Sequence, residues 1–502
     1  MLEYELEDAS IEIFEELGYE YISGKELVPN SLERDTFKDV ILKNRVKDAL
    51  YSLNRDLPND AIESVYRQII SFNTPILEEN NEYFHNLMVN GIDVSFIENG
   101  INRTKKAYII DFDKIENNNF IVVNQLRIYG IEEKRPDIVI FINGIPLSVI
   151  ELKSIRNEDV GIEDAYNQIQ NYKVYIEKLF YYNAFCVLSD GVNAKIGTIT
   201  SNIERFMNWR TIDGENIEPL NIPQYETLIK GVFKKENFLD LIKNFLLFQT
   251  KKTIRVDEET GEIIETSSPI KILSGYHQYF AVKKAIQKTH MAINKDKKIG
   301  VVWHTQGSGK SFSMVFYVAK LIKEFNNPTI IILTDRNDLD EQLFSTFSQS
   351  INLLGQEPKR ASKRQLTEED KMKDTNKAIN GLFDLLKDRE SGGIIFTTIQ
   401  KFKPENGDMP VLSNRDNIIV VADEAHRSQY GLGVKTTSKN NDLDLKYGYA
   451  KYLRDALPNA SYIGFTGTPI EFEDKSTLAV FGDYIDIYDM SRAVEDNATV
   501  KI

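Results

Sequence analysis

The stretch His304-Thr305-Gln306-Gly307-Ser308-Gly309-Lys310-Ser311 decides the fold of the second half of the chain. It follows the apolar run Ile299–Trp303, which predicts a strand, and it precedes a helical pattern. Glycines in such a loop let the backbone curl so that successive N–H groups point at phosphate oxygens, and the N-terminus of the next helix adds its dipole. Strand, loop and helix in this order therefore predict a phosphate-binding loop.

Individual residues of this loop have predicted roles. Lys310 is expected to reach the β- and γ-phosphates of a bound nucleotide, and the Ser311 hydroxyl is expected to ligate Mg²⁺. The loop departs from the general pattern at one position, because His304 stands where the first glycine is usual. The residues expected to surround the nucleotide phosphates are Thr305, Gln306, Gly307, Ser308, Gly309, Lys310 and Ser311.

Apolar strand-like runs alternate with helical segments on both sides of the loop. Their β-branched residues are continuous, which is typical of the strands of a parallel sheet that is covered on both faces. The sequence therefore predicts an α/β domain built on a parallel sheet. The predicted strands are 299–303, 329–333, 393–397, 417–422 and 461–465.

The tetrapeptide Asp423-Glu424-Ala425-His426 follows the fourth of these strands. We expect Asp423 to hold the shell of the nucleotide-bound Mg²⁺ and Glu424 to orient and deprotonate the attacking water. Taken alone, the same residues could be an acidic helix N-terminus that favours the helix dipole. The phosphate-binding loop upstream favours the catalytic interpretation.

Shorter pieces fall in a fixed order around these two motifs. Gln278 precedes the loop, and its amide could read the edge of an adenine through one donor and one acceptor. Thr466-Gly467-Thr468-Pro469 follows the last predicted strand. Together the motifs resemble the first RecA-like domain of superfamily 2 helicases and translocases. The resemblance implies a second such domain carrying an arginine finger, for which the residues after Pro469 are too few, so we expect this chain to bind ATP weakly and scarcely to hydrolyse it.

The first half of the chain shows a different motif. Asp137 opens an apolar run, Asn143-Gly144 is a strong tight-turn signal, and Glu151 and Lys153 lie two residues apart on the next predicted strand. Residues i and i+2 of a strand share a face, so Glu151 and Lys153 should point the same way, and the hairpin should bring Asp137 beside them. Two carboxylates and a lysine in this arrangement can hold Mg²⁺ and support phosphodiester hydrolysis.

This motif is similar to that of the PD-(D/E)xK nucleases, which implies an α+β nuclease domain. A Gln-x-x-x-Tyr helix after the lysine strand is a feature of nucleases of the type I restriction and RecBCD kind, and Gln168 and Tyr172 match it. A solvent-facing pair is the alternative for these two residues. Such nucleases also suggest a further metal-site carboxylate on the N-terminal helix, for which Glu7 is the first candidate and Glu3 or Glu12 could serve instead.

Composition and length limit the possible classes. The net charge of −15 is weak evidence against nucleic-acid binding, because local basic surface decides that interaction. There is no membrane-length apolar run, and the single cysteine, Cys186, lies in an apolar segment and fits a reducing cytoplasm. We expect a nuclease domain over 1–250, a polar connector over 251–270, a RecA-like domain over 271–490 and the start of a linker over 491–502.

A PD-(D/E)xK nuclease followed by a superfamily 2 motor resembles the restriction (motor) subunit of type I restriction-modification enzymes. The resemblance implies an ATP-driven translocase and Mg²⁺-dependent endonuclease that cuts unmethylated double-stranded DNA away from its recognition site. It also implies that modification and specificity subunits are partners, with S-adenosylmethionine bound on the methyltransferase and not on this chain.

Three alternatives remain open at this point. A type III restriction subunit also joins motor and nuclease, but there the nuclease follows the motor, whereas Glu151 precedes Lys310 in this chain. A DNA-repair helicase-nuclease would act without regard to DNA methylation. A non-catalytic platform for DNA or partner binding is disfavoured because Asp137, Glu151 and Lys153 are all present.

Overall fold

The computed structural model describes residues 3–154, 161–256, 263–335, 337–361, 380–387, 389–402, 410–425, 435–439, 442–446, 449–468, 478 and 480–499. The chain divides into two compact units, Met1–Tyr276 and His277–Ile502. Three residues of the sequence motifs, His426, Pro469 and Arg336, lie outside the described residues, as does most of the charged segment 357–390.

The first unit is a mixed α/β structure. Its strands are β1 Glu20–Ser23, β2 Ile92–Glu98, β3 Ile101–Ala107, β4 Phe120–Asn124, β5 Ile128–Tyr129, β6 Glu133–Lys134, β7 Ile138–Ile142, β8 Ile145–Leu152, β9 Phe185–Ser189, β10 Ala194–Gly197, β11 Met207–Asn208, β12 Leu246–Val256 and β13 Ile263–Leu273. Its helices are α1 Glu3–Glu16, α2 Lys43–Leu53, α3 Asn59–Ile70, α4 Leu77–Asn90, α5 Ile162–Tyr175, α6 Lys178–Tyr181, α7 Tyr225–Phe233 and α8 Lys235–Asn244.

The main sheet of this unit has the strand order β1-β4-β7-β8-β9-β10-β11. Strands β7 and β8 pair antiparallel around Asn143 and Gly144, whose φ angles are 51° and 80°, so the predicted tight turn is confirmed. Every residue of β7 and β8 is buried, which explains why both strands are mostly apolar rather than alternating, with Ser148 and Glu151 as the polar residues of β8. The central hairpin therefore forms the rigid support for the residues at its open end.

The described residues of the segment expected to be a polar connector, 251–256 and 263–270, belong to two long paired strands. Strands β12 and β13 pair over eleven residues each, from Leu246 opposite Leu273 to Val256 opposite Ile263. The division between the two units falls after Tyr276 rather than within 251–270. Composition was misleading here because the polar residues flank Ile254, Val256, Ile263 and Ile264, which have high β-propensity.

The second unit carries the parallel sheet. Its strands are β14 Lys298–His304, β15 Thr329–Thr334, β16 Pro358–Arg360, β17 Ile394–Thr398, β18 Ile418–Ala422, β19 Lys435–Lys439, β20 Asp442–Lys446, β21 Ser461–Thr466 and β22 Tyr484–Tyr488. The helices, of which the first begins at the boundary, are α9 Tyr276–Ile293, α10 Lys310–Glu324, α11 Asn337–Ser348, α12 Ile351–Leu354, α13 Asn380–Lys387, α14 Tyr449–Ala456 and α15 Met490–Glu495.

The large sheet of the second unit has the order β16-β17-β15-β18-β21-β14-β22, and each neighbouring pair is parallel. The prediction of a parallel α/β sheet is therefore confirmed. Strands β15, β17, β18 and β21 are buried along their whole length. Among the described residues, no helix combines the length and the apolarity that crossing a membrane requires.

Candidate active sites

The open end of the β7–β8 hairpin brings the predicted nuclease residues together. Asp137 directly precedes β7, and its Oδ2 accepts a hydrogen bond of 2.8 Å from the backbone N–H of Leu152 on β8. Lys153 Nζ lies 2.6 Å from Glu151 Oε1. The expectation that Glu151 and Lys153 share one face of their strand is thus confirmed, and Asp137 is beside them.

Burial controls the charges of these groups. Burial raises the pKa of Glu151 to about 8, with a further increase from the charge of Asp137 and a decrease from Lys153. Burial also raises the pKa of Asp137 to about 6, against the hydrogen bond from Leu152. For Lys153, burial lowers the pKa, but the Glu151 carboxylate outweighs it, so the pKa of Lys153 lies above its ordinary value. The site therefore holds two carboxyl groups that are costly to ionise until a positive charge compensates them.

Helix α5 places Tyr172 against this cluster. Tyr172 is buried and its hydroxyl donates to the Arg135 carbonyl at 3.2 Å. Burial, followed by the charge of Glu151, raises the pKa of Tyr172 far above its ordinary value, and Gln168, which is half-buried, interacts with the same hydroxyl. A solvent-facing pair is therefore the wrong interpretation of Tyr172, and the two residues do lie on one side of α5.

Glu7 is also buried, on helix α1, and two amides bind it. Its Oε1 accepts from Asn124 Nδ2 at 2.6 Å, and its Oε2 accepts from Gln125 Nε2 at 2.7 Å. Gln125 Nε2 also donates to Asp137 Oδ1 at 3.1 Å. Gln125 was not among the predicted site residues, although it lies directly after an apolar strand, where functional side chains are common.

The donor set fits a divalent cation in one further respect. Lys153 binds Oε1 of Glu151, whereas Oε2 is buried and accepts no hydrogen bond of ordinary geometry from the described residues. Carboxylate oxygens are the ligands that Mg²⁺ prefers. Within the part of the chain that the structure describes, no three acidic, histidine or cysteine side chains lie close enough to bind a metal ion as a group.

The phosphate-binding loop has the geometry that its sequence predicts. Gly307 and Gly309 have φ angles of 86° and 80°, and α10 begins at Lys310. Lys310 Nζ lies 2.8 Å from Glu424 Oε1. The loop lysine and the glutamate of the Asp-Glu-Ala-His motif are therefore in contact beyond the carboxyl ends of β14 and β18. Glu424 itself has a φ of 50°, and its N–H donates to Asp423 Oδ1 at 2.9 Å.

Two side chains of helix α9 form hydrogen bonds with the backbone of the phosphate-binding loop. Gln278 Nε2 donates to the Gly309 carbonyl at 2.9 Å, and His277 Nε2 donates to the Ser308 carbonyl at 3.0 Å. The amide that we expected to read adenine thus contacts the loop backbone. Burial, and then the nearby His304, lower the pKa of His277 to about 4, so its ring is neutral near pH 7.

Strand β22 contributes residues that sequence reasoning missed. His304 is fully buried, and its Nε2 lies 3.0 Å from Asp486 Oδ2, while Lys284 Nζ of α9 lies 3.1 Å from Asp486 Oδ1. Burial favours the neutral form of Asp486, but its bonds to His304 and Lys284 outweigh burial and hold the pKa of Asp486 below its ordinary value. Tyr488 stacks on His277 with ring centroids 4.0 Å apart. A histidine at the usual glycine position therefore has a structural reason, since residue 304 is still the last residue of β14.

Comparison with known protein families gives a match for each half of the chain. Residues 1–205 match the family described as type I restriction enzyme R protein N terminus. Residues 277–502 match the SWI2/SNF2 ATPase family. The two matches define the class of the chain, an R-protein N-terminal domain followed by an SWI2/SNF2-type ATPase domain.

Curated relatives match along the whole chain. The HindI endonuclease subunit of Haemophilus influenzae, a type I restriction enzyme, is 40% identical over 512 residues, which cover 100% of this chain and 46% of the relative. The MjaIXP endonuclease subunit of Methanocaldococcus jannaschii is 35% identical over 529 residues, or 100% of this chain and 45% of the relative. This chain belongs to the family of type I restriction enzyme endonuclease subunits, and it spans about half the length of the curated relatives it matches.

One solved structure with a low overall similarity is titled the fragment structure of a putative HsdR subunit of a type I restriction enzyme from Vibrio vulnificus. Its sequence identity with this chain is 16% and the TM-score is 0.26. The match covers 75% of this chain and 56% of that one.

Proposed function

We propose that this chain supplies the nuclease and the nucleotide-binding parts of an ATP-dependent type I restriction endonuclease, which translocates double-stranded DNA and cuts it away from the recognition site. The observation that carries the proposal is a pair of lysine–carboxylate contacts in one chain. Lys153 pairs with Glu151 beside Asp137 in the first unit, and Lys310 pairs with Glu424 in the second. A separate metal-dependent site and a separate phosphate site are what a nuclease driven by a motor requires.

In the nuclease site, Asp137 and Glu151 are the residues that would hold Mg²⁺. Glu7 is linked to Asp137 through the side-chain amide of Gln125. When bound, the cation would supply a Lewis acid at the scissile phosphate and lower the pKa of a water molecule. Lys153 holds a positive charge beside these carboxylates and can stabilise negative charge on the phosphate. Tyr172 and Gln168 of α5 support the buried side of the site and fix the surroundings of Glu151.

In the motor site, the loop Thr305–Ser311 would receive the phosphates of ATP, with Lys310 as the positive charge. Asp423 and the Ser311 hydroxyl would hold the nucleotide-bound Mg²⁺, and Glu424 would orient the attacking water. Gln278, proposed to read the adenine base, would have to give up its hydrogen bond to the Gly309 carbonyl to do so. The fold of this unit supports a RecA-like assignment, because the loop follows β14, an inner strand of an all-parallel sheet that lies next to the edge strand β22.

We also propose the assembly that such a chain would need. Modification and specificity subunits would recognise the DNA site, and S-adenosylmethionine would bind to the methyltransferase part. The nuclease and motor would then act in the cytoplasm on DNA that lacks the host's methylation. A fold of the PD-(D/E)xK kind is supported by the placement of Asp137, Glu151 and Lys153 at the open end of one hairpin.

The test separates the two lysines in the complete subunit assembled with its modification and specificity partners. Lys153→Ala should abolish DNA cutting and leave the DNA-stimulated ATPase rate unchanged, because Lys153 is in the nuclease unit. Lys310→Ala should abolish both activities, since cutting depends on translocation. Unmethylated and fully methylated plasmids serve as the two substrates.

Two lysines that belong to neither site, one partly exposed and one exposed, provide matched controls. Lys105→Ala, on β3, and Lys288→Ala, on α9, should leave cutting and ATP hydrolysis as in the wild type. Equal cutting of methylated and unmethylated plasmid would point to a repair helicase-nuclease instead. Undiminished cutting by Lys153→Ala would show that the nuclease assignment is wrong.

A further inference from the structure

Gln125 lies between two acidic side chains of the nuclease site. Its Nε2 donates to Glu7 Oε2 at 2.7 Å and to Asp137 Oδ1 at 3.1 Å. Both acceptors are buried, with 7% and 5% of their surfaces exposed. One neutral amide group therefore satisfies an oxygen of each carboxylate and separates the two.

The backbone holds Gln125 in this place. Its φ angle is 48°, in the left-handed region that non-glycine residues seldom adopt. The N–H of Gln125 donates to the Asp137 carbonyl at 2.9 Å, and Gly24 packs against the same peptide while its N–H donates to the Asn124 carbonyl at 2.9 Å. Such a conformation persists where the surroundings fix it, and it is concentrated at functional sites.

The position of the amide nitrogen has a consequence for any cation in the site. A cation held by Glu7 Oε2 and Asp137 Oδ1 would need the lone pairs that Gln125 Nε2 now occupies. Rotation of half a turn about the last side-chain bond replaces Nε2 by Oε1 without displacing the residue, because the two amide atoms are nearly equal in size. Amide oxygens are ordinary ligands of hard divalent cations.

We propose that Gln125 is a further metal ligand of the nuclease site: on cation binding its amide turns and gives Oε1 to the cation between Glu7 and Asp137. This inference rests on the proposed nuclease function. Without the cation, the same amide keeps the two carboxylates hydrogen-bonded, so one residue serves both states. Glu7 and Asp137 are then both ligands, linked through Gln125 rather than in direct contact.

The test is Mn²⁺ binding to the 502-residue chain, measured by electron paramagnetic resonance, together with thermal melting without metal. Gln125→Glu should lower the melting temperature, because it adds a carboxylate between Glu7 and Asp137, and yet bind Mn²⁺ about tenfold more tightly. Gln125→Met removes both the donor and the ligand oxygen and should bind Mn²⁺ about tenfold more weakly. Gln68→Met, at a glutamine whose side-chain amide donates to the Asp93 carbonyl on the surface, is the matched control and should change neither.

The possible outcomes distinguish failure of the Gln125 ligand assignment from failure of the proposed nuclease function. If Glu151→Gln binds Mn²⁺ as the wild type does, the metal site itself is wrong, and with it the proposed nuclease function. If Glu151→Gln loses binding but Gln125→Glu binds no more tightly than the wild type, Gln125 is a structural bridge and only the ligand assignment is overturned. If both Gln125 variants lose Mn²⁺ affinity in proportion to their fall in melting temperature, the assignment of Gln125 as a ligand is likewise wrong.

Discussion

Lys310 Nζ lies 2.8 Å from Glu424 Oε1, so the cation of the phosphate-binding loop is paired with the carboxylate expected to activate water. Both side chains are partly exposed, at 13% and 22%. A nucleotide phosphate that binds Lys310 must compete with Glu424 for it. The same contact thus links binding of ATP to the freedom of the carboxylate that we propose as the general base.

The first prediction concerns Glu424→Gln. Removing the carboxylate should let ATP bind to this chain up to roughly fivefold more tightly, since a partly exposed ion pair is worth at most about 1 kcal/mol. In the complete subunit, hydrolysis should fall by at least about 100-fold, because the general base is lost. A fluorescent ATP analogue measures the first effect and phosphate release the second. Glu324→Gln is the matched control, since it breaks another Lys–Glu pair of helix α10 and should alter neither quantity.

The second prediction concerns Asp486 on strand β22. Asp486→Ala leaves the buried His304 and the Lys284 ammonium without their shared acceptor, and it should lower the free energy of unfolding by about 1.5–3 kcal/mol. Urea unfolding followed by circular dichroism checks this value. Asp483→Ala, at an exposed position of the same segment, should cost less than about 0.5 kcal/mol. Equal stability of the two variants would contradict a structural role for the His304–Asp486 pair.

The third prediction compares two glycines that share a left-handed backbone. Gly309 and Gly355 have φ angles of 80° and 65°, so alanine should cost stability at both, by about 1 kcal/mol. The two positions differ in the space around an added Cβ atom. At Gly309 this atom would lie 2.6 Å from Gln278 Nε2, whereas at Gly355 it would have no heavy atom of the described residues within 4 Å. Gly309→Ala should therefore weaken ATP binding by at least about tenfold, and Gly355→Ala should not change it.

The fourth prediction concerns pH and Lys271. Burial lowers the pKa of Lys271 to about 7 in the folded chain, where its Nζ donates to Asn183 O at 2.7 Å and to Asn81 Oδ1 at 2.9 Å. An unfolded lysine has a pKa of about 10.4, so between pH 7 and 10 the unfolded state binds more protons and the free energy of unfolding rises with pH. The cost of burying the charge is fully present below pH 7 and is relieved toward pH 10.

Lys271→Met isolates this effect. The variant loses two hydrogen bonds at every pH, but it has no ionisable group at this position. Its free energy of unfolding should therefore approach or exceed that of the wild type at pH 6.5 and fall behind it as pH rises to 9.5. Chemical denaturation at four pH values measures the difference, and a difference that does not change with pH would refute the assignment.

Most of the correct predictions came from the spacing of residues that are close together in the sequence. Asp137, Glu151 and Lys153 lie on two strands joined by a tight turn, so the period of two and the turn residues are enough to place them together. The parallel sheet followed from continuous apolar runs for a similar reason. The same holds for Lys310, whose loop geometry is set by adjacent glycines.

Contacts between distant segments were not predictable. Gln125 and Glu7 are 118 positions apart in the sequence, and Asp486 and His304 are 182 positions apart. Contacts over such separations produce no periodic pattern from which a single sequence could predict them. Gln278 shows a related limit. Its residue type allowed a contact with adenine, but only the structure shows the Gly309 carbonyl within its reach. Such choices depend on tertiary packing, which residue types alone do not fix.

The hairpin β12–β13 returns the chain to the point from which it left, because Leu246 pairs with Leu273. The distance between the two ends of the hairpin is therefore set by the Leu246–Leu273 pair and not by the number of residues between them. Over evolution, the hairpin can gain or lose paired residues while Leu246 and Leu273 stay opposite one another. A reporter peptide inserted between Val256 and Ile263 would exploit the same tolerance, since the Leu246–Leu273 pair would not need to move.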